Sequence, residues 1–175
     1  LMSLTLKKCV SPWKACDQQL VFSQEVKLSE FERLSNELLE NQGVIEVDIA
    51  FGRSTDNVAV LSGRIAGKLV IECQRCLLPM DQPVDFEMNL ALVRAVTDET
   101  HELDSKYDIF EIEDDQICLK DVIEDELFLQ IPQVPMHTAP SCVIETEFGD
   151  EALNPEAEEK ENPFAVLASL KDKLN

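Results

Sequence analysis

The chain has 175 residues, 45% of them hydrophobic, which is enough apolar material for one good-sized core and not clearly enough for two. Acidic residues outnumber basic ones 35 to 15, for a formal charge of -20. A field of that sign repels phosphate backbones and favours cationic partners such as a basic ribosomal protein or an assembly factor, although solubility alone also accounts for an acidic surface.

Residues 1–14 hold no apolar run of signal-peptide length and no small-residue cleavage pattern, and Met2 is the expected natural start. No stretch reaches the roughly 20 apolar residues of a membrane helix. The expected location is the cytoplasm, without membrane contact, where thiols stay reduced. Six cysteines then point to metal, redox chemistry or packing before disulfides. Cys9, Cys16 and Cys118 have no spaced partner, and each reads as a small buried hydrophobe.

Residues 20–26 read as a short extended segment. Ser29 offers an N-cap with Glu32 at the capping-box position, and Phe31, Leu34, Leu38 and Leu39 recur at helical spacing before Gly43. These signals predict a helix over 29–41. From Val44 the period becomes two, with Val47, Ile49 and Phe51 alternating with Glu46, Asp48 and Ala50. A polar turn at 52–57 leads to a second strand from Val58, where Gly63 and Gly67 suggest a bend or bulge. It ends at Glu72-Cys73-Gln74-Arg75-Cys76.

After a turn at Pro79-Met80-Asp81, a third strand places Val84, Phe86, Met88, Leu90 and Leu92 on one face. Consecutive strands with short polar turns predict an antiparallel meander, buried on one side. An acidic loop at 97–105 contains His101, expected to face solvent. Tyr107, Ile109, Phe110 and Ile112 can supply one more short strand. A second helix opens at Cys118 or Leu119 and runs to about Gln130, where Pro132 and Pro135 stop it.

Residues 145–161 are dominated by Glu and Asp and read as a flexible linker. Order resumes with Asn162 as N-cap and Pro163 at the first helical position; Phe164, Val166, Leu167, Leu170 and Leu174 then form an apolar stripe. This amphipathic helix over 162–175 either folds back on the sheet or docks in a partner's groove. The predicted architecture is α+β: a domain over 1–144 with an antiparallel meander packed by two helices, then the linker and the terminal helix.

The candidate chemistry centres on the cysteine pair. C-x-x-C lets two thiolates grip one ion, and Cys73, Cys76, His137 and Cys142 make a complete ligand set for structural zinc. A redox dithiol at Cys73 and Cys76 is a second reading, weakened because catalytic pairs precede a helix and this one leads into a strand. Packing of both thiols at a hairpin end is a third. Glu124, Asp125 and Glu126 read as a solvated helix face. No P-loop, dinucleotide fingerprint or nucleophile elbow is present. Arg75, between the cysteines, can meet RNA or a protein carboxylate, though an ordinary surface ion pair also accounts for it, and Arg64, Lys68 and Arg75 offer a local basic patch for direct RNA contact.

Three stretches in series carry a family resemblance: Glu72-Cys73-Gln74-Arg75-Cys76; Glu124-Asp125-Glu126-Leu127 running into Ile131-Pro132-Gln133-Val134-Pro135-Met136-His137; and Asn162-Pro163-Phe164-Ala165-Val166-Leu167-Ala168-Ser169-Leu170-Lys171. In order and spacing they resemble the YceD family of large ribosomal RNA subunit accumulation proteins. The resemblance implies a non-enzymatic bacterial cytoplasmic factor for synthesis, processing or stability of the large-subunit RNA, linked to ribosomal proteins of that subunit. Some relatives carry cysteines where this chain has the 137–142 segment, which suits a metal site; here one histidine and one cysteine stand there. The expected partner-binding residues are Arg75 and, in the terminal helix, Asn162, Pro163, Phe164, Val166, Leu167 and Leu170.

Overall fold

Alternation of apolar and polar residues is what builds the central sheet. The computed structural model describes residues 6, 8–97, 106–112, 114–138 and 142. The chain divides into two compact units, Leu1–Val143 and Ile144–Asn175. The second lies outside the described residues, and with it the predicted linker at 145–161 and the helix at 162–175, including Asn162, Pro163, Phe164, Val166, Leu167 and Leu170. His101 and residues 98–105 also lie outside.

The five-stranded sheet comprises β2 (Val21–Lys27), β3 (Val44–Arg53), β4 (Ala59–Glu72), β5 (Pro79–Val93) and β6 (Asp108–Glu111), in that order. Strands β3 to β5 are the predicted antiparallel meander, and β2, expected only as an extended segment, joins it antiparallel to β3. β6 departs from it by pairing parallel to β5, so the sheet is mixed at one edge. A parallel neighbour needs a crossover rather than a hairpin, and the long segment between Val93 and Asp108 supplies the length. A separate two-stranded ribbon joins β1 (Cys9–Val10) to β7 (Ile117–Cys118).

One face of the sheet is dry. Phe22, Ile45, Val47, Ile49, Phe51, Leu61, Ile65, Leu69, Val84, Met88 and Leu90 are buried, while Glu46, Asp48, Arg64, Asp85 and Glu87 on the opposite face meet solvent. Helices α1 (Pro12–Asp17), α2 (Glu32–Glu37) and α3 (Leu119–Leu129) contribute Ala15, Cys16, Leu34, Leu119, Val122, Ile123 and Leu127 to the same core. Only α3 follows its predicted bounds closely; α1 was not expected.

The helix expected over 29–41 is much shorter. A 3-10 turn at Leu28–Glu30 precedes α2, Phe31 stands at the N-cap, and no side-chain capping bond forms there. Leu28, Phe31 and Leu34 are buried, which orients this segment by packing rather than by the Ser29 cap. Beyond Glu37 the backbone extends, and Leu39 N–H donates to Val70 O at 2.9 Å. Strand β4 thus captures residues that local propensity assigns to helix.

The two glycines of β4 do not mark a bulge, since register to both neighbours is unbroken through Gly63 and Gly67. They permit close passage of β3 instead. A Cβ on Gly63 would lie 2.6 Å from Ile49 Cα, and one on Gly67 would lie 2.7 Å from Ile45 Cγ2. Gly63→Ala is therefore expected to destabilise the fold by about 2–3 kcal/mol through forced separation of the strands, measurable by urea unfolding.

Candidate metal centre

The cysteine pair lies where β4 reverses into β5. Leu69, Ile71 and Cys73 share the inward phase of the strand, and Cys73 is fully buried. The reversal itself occupies residues 73–78, not Pro79-Met80-Asp81, because β5 already begins at Pro79. Cys73 N–H donates to Leu78 O at 3.0 Å, and Leu77 N–H donates back to Cys73 O at 2.9 Å. Leu77 closes the turn with φ 59°, in the left-handed region. The resulting knuckle turns both sulfurs to one side.

The second half comes from the segment after α3. Pro132 ends the helix, and the chain then runs alongside the knuckle, where Gln74 N–H donates to Pro135 O at 2.8 Å. That bond carries His137 to the cysteines. His137 N–H donates to Cys73 Sγ at 3.4 Å, its Nδ1 lies 3.3 Å from Cys76 Sγ, and its Nε2 lies 3.1 Å from Pro79 O. A carbonyl can only accept, so Nε2 carries the proton and Nδ1 offers its lone pair to the cluster. Cys142 Sγ lies 3.7 Å from Cys73 Sγ.

All four ligand atoms fall within 4.8 Å of one another, the only such cluster among the described residues. A tetrahedral zinc ion with Zn–S of about 2.3 Å sets sulfurs roughly 3.8 Å apart, so the observed spacing fits. The electrostatics agree with a thiolate ligand. Burial pushes the Cys73 thiol up, but N–H groups of Cys76, His137 and Arg75 and the Cys76 thiol outweigh it and bring it down to about 5. Cys142 is pushed up, by burial and by the neighbouring sulfurs of Cys76 and Cys73. A cation among these sulfurs relieves that mutual repulsion.

Arg75 projects from the knuckle and donates from Nη2 to His137 O at 3.3 Å, bracing the two halves. The basic patch does not assemble as free cations. Arg64 is paired with Asp85 at 2.6 Å and Lys68 with Asp81 at 2.9 Å.

Two further groups differ from expectation. Glu124 is not on a solvated face: its side chain is 3% exposed, its Oε1 accepts from Leu34 N–H at 2.9 Å, and its Oε2 accepts from Arg33 Nε at 3.0 Å. It closes the open N-terminus of α2 from across the core. Asp125 is exposed as expected and pairs with Arg33 at 2.8 Å. Glu126 is half-buried, and burial, with Asp108 and Asp125 nearby, raises its carboxyl. Cys9 and Cys118 are not separate packing residues but are joined in a disulfide across β1 and β7, while Cys16 is buried as expected. Partners 109 residues apart leave no spacing signal.

Fold and site together define a mixed α+β scaffold whose central hairpin ends in a cluster of three cysteines and one histidine. The pattern of the family described as Large ribosomal RNA subunit accumulation protein YceD matches residues 61–171, which covers the knuckle, α3 and the terminal motif. The chain is 30% identical over 177 residues to the Large ribosomal RNA subunit accumulation protein YceD of Haemophilus influenzae, a comparison that takes in 99% of this chain and 100% of the relative. It belongs to the YceD family. No solved structure matches it. Among the described residues no helix is long and apolar enough to cross a membrane.

Proposed function

We propose that this protein is a non-enzymatic ribosome-biogenesis factor that supports accumulation of large-subunit ribosomal RNA by holding a basic ribosomal or assembly protein. The observation that carries the reading is the near full-length similarity to a relative of that name. The charge of -20 supports a cationic protein over RNA as the direct partner, and so does the neutralisation of Arg64 and Lys68 by their own carboxylates. The terminal segment, with Asn162, Pro163, Phe164, Val166, Leu167 and Leu170, is the proposed gripping element, aided by Arg75. The proposed working location is the cytoplasm, beside nascent ribosomes.

Zinc is the proposed cofactor, held by Cys73, Cys76, His137 and Cys142. The ion would tie the β4–β5 hairpin to the segment after α3, a structural task. A thiol-redox role for Cys73 and Cys76 is favoured only by the acidic Cys73 thiol; the pair runs into β5 rather than a helix, and zinc ligation needs the same thiolate.

Depletion is expected to lower mature large-subunit RNA relative to small-subunit RNA, measured by gel quantification of precursor and mature species. Unchanged ratios refute the biological assignment. Tagged full-length protein is expected to recover a basic large-subunit protein from growing cells, and a chain truncated before Asn162 to lose it. Recovery of RNA alone, insensitive to salt, refutes the protein-holding mechanism.

A further inference from the structure

The metal cluster accounts for three of the six cysteines, and Cys16 is sequestered, its thiol donating to Val60 O at 3.8 Å. The remaining two face one another. Cys9 and Cys118 are direct partners in the β1–β7 ribbon, so their sulfurs meet across a non-local strand pair. Cys9 is exposed, whereas Cys118 is half-buried at the N-cap of α3.

Other contacts hold this junction independently of the bond. Trp13 Nε1–H donates to Asp115 Oδ1 at 2.9 Å, the Arg94 guanidinium lies 4.8 Å from the Trp13 ring centroid, and Arg94 lies 3.6 Å from Asp115. With the strands tethered in this way, opened thiols stay adjacent and close again at high effective concentration.

Cys9 also borders a surface depression of about 360 Å³, lined by Lys8, Ser11, Lys14, Gln18 and Leu20 among others. No carboxylate lines it, and neither lysine has an ion-pair partner among the described residues. On a chain of charge -20, that is a depression with two lysines and no acidic residue in its lining, beside the exposed Cys9. We propose that Cys9 and Cys118 form a reversible redox clasp that exchanges with small anionic thiols and disulfides admitted through Lys8 and Lys14.

In the reductive direction an incoming thiolate attacks Cys9 Sγ, and the bond to Cys118 breaks with its electron pair leaving on the Cys118 sulfur. The departing thiolate forms at a helix N-terminus, where free backbone N–H groups favour negative charge. A second small thiol then displaces Cys9 from the mixed disulfide. Two small thiols become one small disulfide, and the protein pair gains two electrons and two protons. The oxidative direction is the reverse, with a small disulfide as oxidant. Closing the clasp staples the N-terminal ribbon to the start of α3, the helix that leads to His137.

The intact chain, equilibrated in mixtures of glutathione and its disulfide, acid-quenched, alkylated and mapped by mass spectrometry, tests this. Cys9 and Cys118 are expected to pass together between blocked and alkylatable forms as the ratio changes, and a Cys118→Ser chain is expected to gain one glutathione on Cys9. Lys8→Glu with Lys14→Glu is expected to slow exchange with glutathione about tenfold and to slow exchange with 2-mercaptoethanol, whose attacking thiolate carries one negative charge fewer, distinctly less. Thiols that stay free at every ratio, or a bond that resists excess glutathione in the folded chain, overturn the clasp. Equal slowing with both reagents overturns the anionic selectivity. Mapping of the unsubstituted chain needs no variant to fold and reads neither metal nor ribosomal partner.

Discussion

Removing the proposed zinc, or one of the thiolates proposed to hold it, is expected to cost this protein a large share of its stability. Purified chain is expected to carry one zinc per molecule by metal analysis, and a strong chelator to lower its unfolding midpoint. A zinc ion held by the four proposed ligands would bind the folded chain in preference to the unfolded one, so its binding free energy would add to folding: with free zinc at about a thousand times the dissociation constant, the contribution is about 4 kcal/mol. Cys73→Ser is expected to cost at least as much, because it both weakens the ion and leaves a hydroxyl at a fully buried position met by the His137 N–H. The zinc contribution is expected to shrink on acidification, as protons compete with zinc for the thiolates and the imidazole, so chelation and Cys73→Ser cost less at lower pH. Metal analysis after dialysis across a pH series checks the sign. Zinc-free protein with the same midpoint before and after chelation would falsify the assignment.

Glu124 is the second site of large effect. Its carboxylate is buried between α2 and α3, receives the Leu34 N–H, and faces the exposed Arg33, whose guanidinium also lies 5.8 Å from the Phe128 ring centroid. Glu124→Ala deletes the acceptor, strands a buried N–H and leaves a void, for an expected cost of about 3 kcal/mol and a fall in Tm of about 10 °C. Glu124→Gln keeps an acceptor for Leu34 but removes the charge and replaces the oxygen that receives Arg33 Nε–H with an NH2 donor. Because Arg33 is mostly in solvent, that change is expected to cost about 1 kcal/mol. Arg33→Ala is expected to resemble the glutamine variant, and the double-mutant cycle between them isolates the ion pair. An alanine variant as stable as the parent chain refutes the capping role.

The candidate site shows which information is local. Cys73 and Cys76 announce themselves by spacing, and the strand that delivers Cys73 is legible from its alternation. His137 and Cys142 lie over 60 residues away, and their approach depends on Pro132 stopping α3 and on one backbone bond from Gln74 to Pro135. Glu124 carried no sequence signal of burial, because flanking Asp125 and Glu126 make the run look like a wetted face. Only the position of α2 against α3 sets it apart.

Taken alone, the amino-acid order determined whatever depends on neighbours within a few residues. It set the alternation that makes β3 and β5, the periodic stretch of α3 with its proline stop, the cysteine pair at a strand end, and the family motifs. Tertiary structure decided the rest: β6 joining in parallel, β4 drawing residues 38–40 out of helix, Cys9 meeting Cys118, and a glutamate on α3 capping α2. Each of these contacts joins segments whose local preferences are weak or opposed. Burial of a shared apolar face outweighs a fraction of a kcal/mol of propensity per residue, so the winning conformation is chosen only when the layers pack.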